Sequence, residues 1–127
     1  MARRKSPILT ETELRLMNVL WAKGKATVSD VVAALSTDAR KPAYSSVLTM
    51  LRVLKQKGLA RYEKEGRAFI YYPSVERDEI RRSTLRYLID KFFDDSPEKL
   101  VLNLLEHEDL DSEELSRIEK LIREEET

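Results

Sequence analysis

The stretch AYSSVLTMLRVLKQKG, residues 43–58, decides the fold of this chain. Its apolar residues recur at the three- and four-residue spacing of an α-helix, and Gly58 marks the end. With successive residues about 100° apart around the axis, one side collects the large apolar residues Val47, Met50, Leu51 and Leu54. The opposite side collects the polar residues Ser45, Thr49, Arg52 and Gln56. We therefore predict a helix over Ala43–Lys57 with one buried and one exposed polar side.

Two further helices are predicted before this one. Thr10 and Glu13 have the spacing of a capping box at the start of the first helix, and Gly24 is placed to end it. Its apolar stripe is Leu14, Met17, Leu20 and Trp21. Thr27 and Asp30 begin a second, shorter helix in the same way. Because Pro42 disfavours helix at Lys41, we expect a loop between the second and third helices.

Two strand-like runs follow, over residues 59–64 and 68–72, joined by the glycine-containing turn Glu65-Gly66-Arg67. Pro73 ends the second run. Three helices followed by a two-stranded hairpin is the arrangement of a winged helix-turn-helix. The expected fold class is therefore mainly α with a small β wing, and residues 1–73 form a DNA-binding domain.

The remaining residues, 74–127, read as three more helices and are predicted to form a helical dimerisation domain. They begin near Val75, at Ser96-Pro97 and at the capping pair Asp111 and Glu114. Their apolar side chains exceed what one short chain covers alone, so we assign a partner subunit to them. The predicted dimerisation residues are Leu85, Leu88, Ile89, Phe92, Leu100, Val101, Leu104, Leu105, Leu115 and Ile118.

Charge is divided unevenly along the chain, although its formal net charge is zero. Residues 1–72 carry 14 Lys and Arg against 6 Asp and Glu, and residues 73–127 carry 9 against 17. A basic first half favours a polyanion such as DNA. Short hydroxyl side chains let a helix approach base edges, arginine reads guanine or clamps phosphate, and wing cations pair with phosphates. The predicted DNA-binding residues are Ala43, Tyr44, Ser45, Ser46, Thr49, Arg52, Arg61, Lys64 and Arg67, with Arg3, Arg4 and Lys5 as a basic arm.

The sequence lacks the residues that other classes of function require. There is no cysteine, one histidine, His107, and only 3 glycines, so thiol catalysis and a phosphate-cradling glycine loop are excluded. The acidic residues near Glu108 do not have the spacing of a calcium loop. We predict no enzyme activity, no metal and no cofactor. No apolar run is long enough for a membrane span and no signal core is present, so we expect a cytoplasmic protein.

Two alternatives use the same fold. Winged helices also bind proteins, and an activator would use the same reading face as a repressor. The positive first half favours DNA over a protein partner.

Several segments resemble the penicillinase repressor family, the BlaI/MecI type. They are Leu9 to Leu14 through Met17 to Trp21, Tyr44 to Arg52 with Lys57-Gly58-Leu59, Phe69 to Pro73, Leu100 to Leu104, and Asp109 to Glu114. The similarity runs over about residues 8–123.

This resemblance implies a homodimer that binds a palindromic operator and blocks transcription, with the last three helices forming the dimer. It places Ser45, Ser46, Thr49 and Arg52 at the DNA. In members tied to antibiotic resistance, a membrane sensor protease triggers cleavage of an Asn–Phe bond in the dimer arm. The matching bond here is Asn103–Leu104, where leucine replaces phenylalanine.

Overall fold

Three helices, a hairpin and three further helices follow one another along the chain, which confirms the predicted order. The structure is a computed structural model and describes residues 8–126. Its elements are α1 (Glu11–Lys23), β1 (Ala26–Thr27), α2 (Val28–Leu35), α3 (Tyr44–Gln56), β2 (Ala60–Glu65), β3 (Ala68–Pro73), α4 (Arg77–Phe92), α5 (Pro97–His107) and α6 (Ser112–Glu126).

Local signals set the helix starts. In α1, the Thr10 backbone N–H donates to Glu13 Oε1 at 2.9 Å, and the Glu13 N–H donates back to Thr10 Oγ1 at 3.1 Å. Thr27 and Asp30 form the same reciprocal pair at the start of α2. Both capping boxes therefore satisfy N–H groups that a helix start leaves without partners.

The antiparallel sheet has one strand more than predicted. Its order is β1-β3-β2, and β1 pairs Ala26 with Tyr71 and Thr27 with Ile70. The hairpin turn is shorter than predicted, because Glu65 already pairs with Ala68. Gly66 therefore opens a two-residue turn at φ +62°, which suits the twist of the flanking strands.

The described residues divide into two compact units, and the division falls between Tyr87 and Leu88, within α4. The first unit holds the core, to which α1, α2, α3, the sheet and the start of α4 all contribute. Its buried apolar side chains are Leu16, Met17, Leu20, Ala26, Val28, Val31, Val47, Leu51, Leu54, Leu59, Ala60, Tyr71 and Ile80. In the second unit, no residue of α5 or α6 within the described chain is buried.

The buried side of α1 is rotated from the predicted stripe. Leu16, Met17 and Leu20 are buried, whereas Leu14 is 41% exposed. Trp21 is half-buried and donates from Nε1 to the Val75 carbonyl oxygen at 2.8 Å. The helix therefore turns its Leu16 side to the core, and Trp21 ties it to the segment before α4.

Glu13 is the one charged side chain that is buried within residues 8–126, at 2% exposed. Its Oε2 accepts a hydrogen bond from Lys57 Nζ, so the start of α1 is tied to the end of α3. Burial alone would raise the pKa of Glu13. The hydrogen bonds from Lys57 and from the Thr10 backbone, and then the charge of Lys57, outweigh burial and hold that pKa below its ordinary value.

Glu13→Gln keeps an oxygen for Thr10 but removes the charge that Lys57 contacts. We expect it to lower the free energy of unfolding at pH 7 by about 1–3 kcal/mol. A carboxylate whose pKa is lower in the folded state than in the unfolded state stabilises the fold at pH values above its unfolded pKa. That stabilisation is lost as the pH falls through the folded-state pKa. The difference between wild type and variant should therefore shrink in acid. Urea unfolding followed by Trp21 fluorescence at pH 7 and at lower pH measures it.

The matched control is Glu11→Gln, which removes an exposed carboxylate whose partner is Arg15 on the same helix. An exposed pair of this kind contributes about 0.3–0.5 kcal/mol. A Glu13→Gln deficit that stays the same at both pH values would show that the ion pair is not the source of the stabilisation.

Candidate nucleic-acid interface

The polar side of α3 is exposed because its other side is fixed in the core. Val47, Leu51 and Leu54 are at most 3% exposed, and Met50, predicted on the same side, is half-buried. The opposite side carries Ser45, Thr49 and Arg52, all exposed. A rigid helix that buries one side must present the other, so these side chains face outward together.

The start of α3 is open to an anion. Ala43 is the N-cap residue and makes no side-chain capping hydrogen bond, unlike Thr10 and Thr27 in α1 and α2. Tyr44, the first residue of the helix, is 54% exposed. Uncapped N–H groups and the helix dipole favour a negative group such as a phosphate at this end.

Thr49 uses its hydroxyl within the helix. Its Oγ1 donates to the Ser45 carbonyl oxygen at 2.9 Å. This bond fixes the rotamer of Thr49 and occupies its proton. The oxygen can still accept a hydrogen bond, and the methyl group is available to an apolar neighbour such as a thymine methyl.

On one flank of α3 lies a groove against the hairpin. Its lining residues are Leu48, Arg52, Lys55, Gln56, Tyr62, Phe69 and Tyr71. Lys55 Nζ lies 4.9 Å from the centroid of the Tyr62 ring, and Tyr62 packs edge-on against Phe69 at 5.0 Å between centroids. Burial raises the pKa of the Tyr71 hydroxyl, and the nearby Arg52 charge opposes that shift. The groove is thus an aromatic wall with two cations at its helix side.

The structure separates two of the predicted wing cations. Lys64 pairs in register with Phe69, and its Nζ lies 5.9 Å from that ring, on the groove side of the hairpin. Because side chains alternate along a strand, Arg61 points to the other face. There it pairs with Glu63 at 3.1 Å and stacks on Tyr72 at 4.3 Å. Arg67 lies in the turn at the tip and is exposed.

All nine predicted DNA-binding residues are exposed. Arg52 lines the groove and Lys64 lies against the Phe69 ring of its wall, whereas Arg61 points to the opposite face of the hairpin. The basic arm Arg3, Arg4 and Lys5 lies outside the described residues. Sequence reasoning missed Lys55, Tyr62 and Phe69. Lys55 lies three residues after Arg52, which puts it one turn along the same helix, and that spacing was the available signal.

None of the predicted dimerisation residues is fully buried. Leu88, Ile89 and Leu100 are half-buried, and seven are exposed: Leu85, Phe92, Val101, Leu104, Leu105, Leu115 and Ile118. Phe92 is 69% exposed. Three more large apolar residues of α5 and α6 are exposed and were not predicted as dimerisation residues: Leu102, Leu121 and Ile122. Large exposed apolar side chains in this number are typical of proteins that associate, and their role in a dimer stays a prediction.

Other kinds of site are not found in the described part of the chain. No three His, Asp or Glu side chains within residues 8–126 come together as a metal site. No helix there is long and apolar enough to cross a membrane.

The sequence matches the family model described as Penicillinase repressor over residues 9–124. The Penicillinase repressor of Bacillus licheniformis is 29% identical over 122 residues, covering 95% of this chain and 94% of that protein. Methicillin resistance regulatory protein MecI of Mammaliicoccus sciuri is 26% identical over 114 residues, covering 90% and 92%. The solved DNA binding domain of the repressor BlaI matches with a TM-score of 0.51 at 30% identity, covering 60% of this chain and 92% of that domain. A family match along nearly the whole sequence, on a winged helix with a helical arm, makes this chain a member of the penicillinase repressor family.

Proposed function

We propose that this chain represses transcription by binding, as a homodimer, to a palindromic operator in double-stranded DNA. Membership of its family makes it a DNA-binding transcriptional repressor rather than an enzyme. The observation that carries the proposal is the exposed polar side of α3, together with the groove on its flank that Arg52 and Lys55 line. We also propose a cytoplasmic location, because a protein that binds operator DNA works where that DNA lies.

In this proposal α3 enters the major groove. Ser45 and Ser46 are short, so the backbone approaches the base edges closely, and their hydroxyls donate or accept hydrogen bonds. Arg52 reaches a guanine with two parallel hydrogen bonds. Tyr44 and the uncapped start of α3 contact a phosphate, and Lys64 and Arg67 contact the backbone beside the wing. Arg61, already paired with Glu63, contributes least.

Arg52→Ala should weaken binding to the operator by about 1–3 kcal/mol while leaving binding to unrelated DNA nearly unchanged, since a base contact is lost. Lys64→Ala and Arg67→Ala should weaken operator and unrelated DNA alike and lower the slope of log K against log salt by about one each. Fluorescence anisotropy over a series of salt concentrations measures all three variants.

Arg82→Ala is the matched control, because Arg82 is exposed on α4, is not among the predicted DNA-binding residues, and pairs with Asp78 at 3.4 Å. It removes the same charge and should leave both affinities unchanged. Equal effects of Arg52→Ala on operator and unrelated DNA would refute the assigned base contact. No effect in any of the three interface variants would refute the whole interface.

The homodimer is supported by the apolar side chains that α5 and α6 leave exposed. One winged helix makes few contacts with DNA, and joining two gives the second a high effective concentration at its half-site. Half-sites one turn apart require the two α3 helices to sit about 34 Å from one another. The predicted dimer interface therefore raises the affinity for the operator without contacting DNA.

Ile118→Glu places a charge among the exposed apolar side chains of α6. We expect it to convert a dimer at micromolar concentration into a monomer in sedimentation velocity, and to reduce affinity for a two-half-site operator far more than for a single half-site. Ser116→Glu, which makes the same charge change about 160° around α6, is the control. A wild-type chain that sediments as a monomer contradicts the proposed dimer.

We further propose that operator release follows cleavage at Asn103–Leu104 by a sensor protease. Both residues are exposed and lie within α5. A cut there separates α6 and the end of α5, with Leu105, Leu115 and Ile118, from the DNA-binding domain. Proteases act on extended backbone, so α5 must unwind locally first, which is easier in a helix without a buried residue.

In induced cells, intact-mass spectrometry should find a fragment that ends at Asn103. Asn103→Ala, which leaves the predicted dimerisation residue Leu104 in place, should keep the chain whole and the operator occupied. Derepression with an uncut wild-type chain would rule out this mode of release.

A further inference from the structure

A second concave surface lies on the other flank of α3. It is a cleft of about 550 Å³ between α1, the end of α2, the loop before α3, and α3 itself. Small-molecule sites in proteins have volumes of about 300–1,000 Å³, so the cleft has the size of a ligand site. Much of its wall is apolar and consists of Leu16, Ala34, Leu35, Pro42, Val47 and Met50.

The charged groups at this cleft have one sign. Arg15 and Arg40 are among its lining residues, and no carboxylate among the described residues is. Arg15 pairs with Glu11 at 3.0 Å, whereas the Arg40 guanidinium makes no ion pair with any residue of 8–126. A tight turn holds the backbone of Arg40 in place, because its N–H donates to Thr37 Oγ1 at 3.0 Å and the Thr37 N–H donates to the Arg40 carbonyl oxygen at 2.7 Å.

The cleft also touches the proposed DNA-reading helix. Ser46, Val47 and Met50 of α3 line it, and Ser46 is one of the residues assigned to base contact above. A molecule in the cleft would cover Ser46 and lie against the loop that leads into α3. It would therefore compete with the approach of α3 to DNA.

We propose that this cleft is an effector site for a small amphipathic anion, with a carboxylate on Arg40 and an apolar body against Leu35, Val47 and Met50. An apolar wall with cations at its edge suits an apolar body that ends in one negative group. The regulatory part of this proposal rests on the proposed operator binding. Occupancy lowers operator affinity, and the operator lowers effector affinity by the same factor.

The probe for this site is 1-naphthoate, with neutral 1-naphthamide as the matched compound. The full chain carries ¹³C-methyl methionine, so that the Met50 methyl reports on the cleft and the fully buried Met17 methyl serves as an internal reference. We expect naphthoate to shift the Met50 signal saturably while the Met17 signal stays in place. Arg40→Ala should raise the naphthoate Kd by about fivefold or more, as loss of a charge-assisted contact does, and Arg82→Ala should not.

A Met50 signal that does not move at millimolar naphthoate overturns the site. So does an equal shift with naphthamide, or a Kd that Arg40→Ala leaves unchanged. If Arg40→Ala weakens DNA binding while naphthoate fails to bind, Arg40 is a phosphate contact and the effector site is refuted. If naphthoate binds but leaves the operator Kd unchanged, the regulatory part is refuted.

Operator binding by the unliganded chain tests the proposed function separately. If the chain shows the Met50 shift but binds no operator, the proposed ligand site is supported and the proposed repressor function is refuted. If the chain binds its operator but shows no Met50 shift, the proposed repressor function is supported and the ligand site is refuted.

Discussion

The burial of one side of α3 is the constraint on which the rest depends. Val47, Leu51 and Leu54 are almost fully buried, and each contributes about 1.5–3 kcal/mol relative to an exposed position. A helix is rigid around its axis, so this burial sets where Ser45, Thr49 and Arg52 point. The contact between Lys57 and Glu13 fixes the far end of the same helix to α1. Positioning of the polar side is therefore a result of core packing rather than of contacts on that side.

How far the sequence predicts the fold depends on whether the signal is local. The capping pairs Thr10–Glu13 and Thr27–Asp30 lie three residues apart, and both form as predicted. At the start of α1, Met17 lies about 60° around the helix from Leu14 and about 100° from Leu16, so periodicity alone does not choose between Leu14 and Leu16 as its buried neighbour. The choice comes from distant partners. The two residues of β1 are likewise too few to form a pattern, and only pairing with β3 makes them a strand.

The same distinction applies to the site. The polar side of α3 follows from one helix and was predictable. The wing was predictable only in part. Alternation along the predicted strand puts Arg61 and Lys64 on opposite faces, but which of these faces borders α3 depends on how the hairpin packs against that helix. Glu63 then neutralises Arg61, while Lys64 stays beside Phe69. Lys55 joins the site through the Tyr62 ring, a contact between residues that the sequence gives no reason to pair.

The second unit follows a different energetic logic from the first. Within the described residues α5 and α6 bury no side chain, so their own packing offsets little of the entropy lost on folding. Isolated helices of 11 and 15 residues are marginal in water. In the proposed dimer the apolar side chains of both helices are covered, and folding of the arm is coupled to association. Arm stability then depends on protein concentration and on an intact α5. A single cut in that helix therefore acts on both half-sites at once, because it removes the coupling that makes two weak modules bind as one.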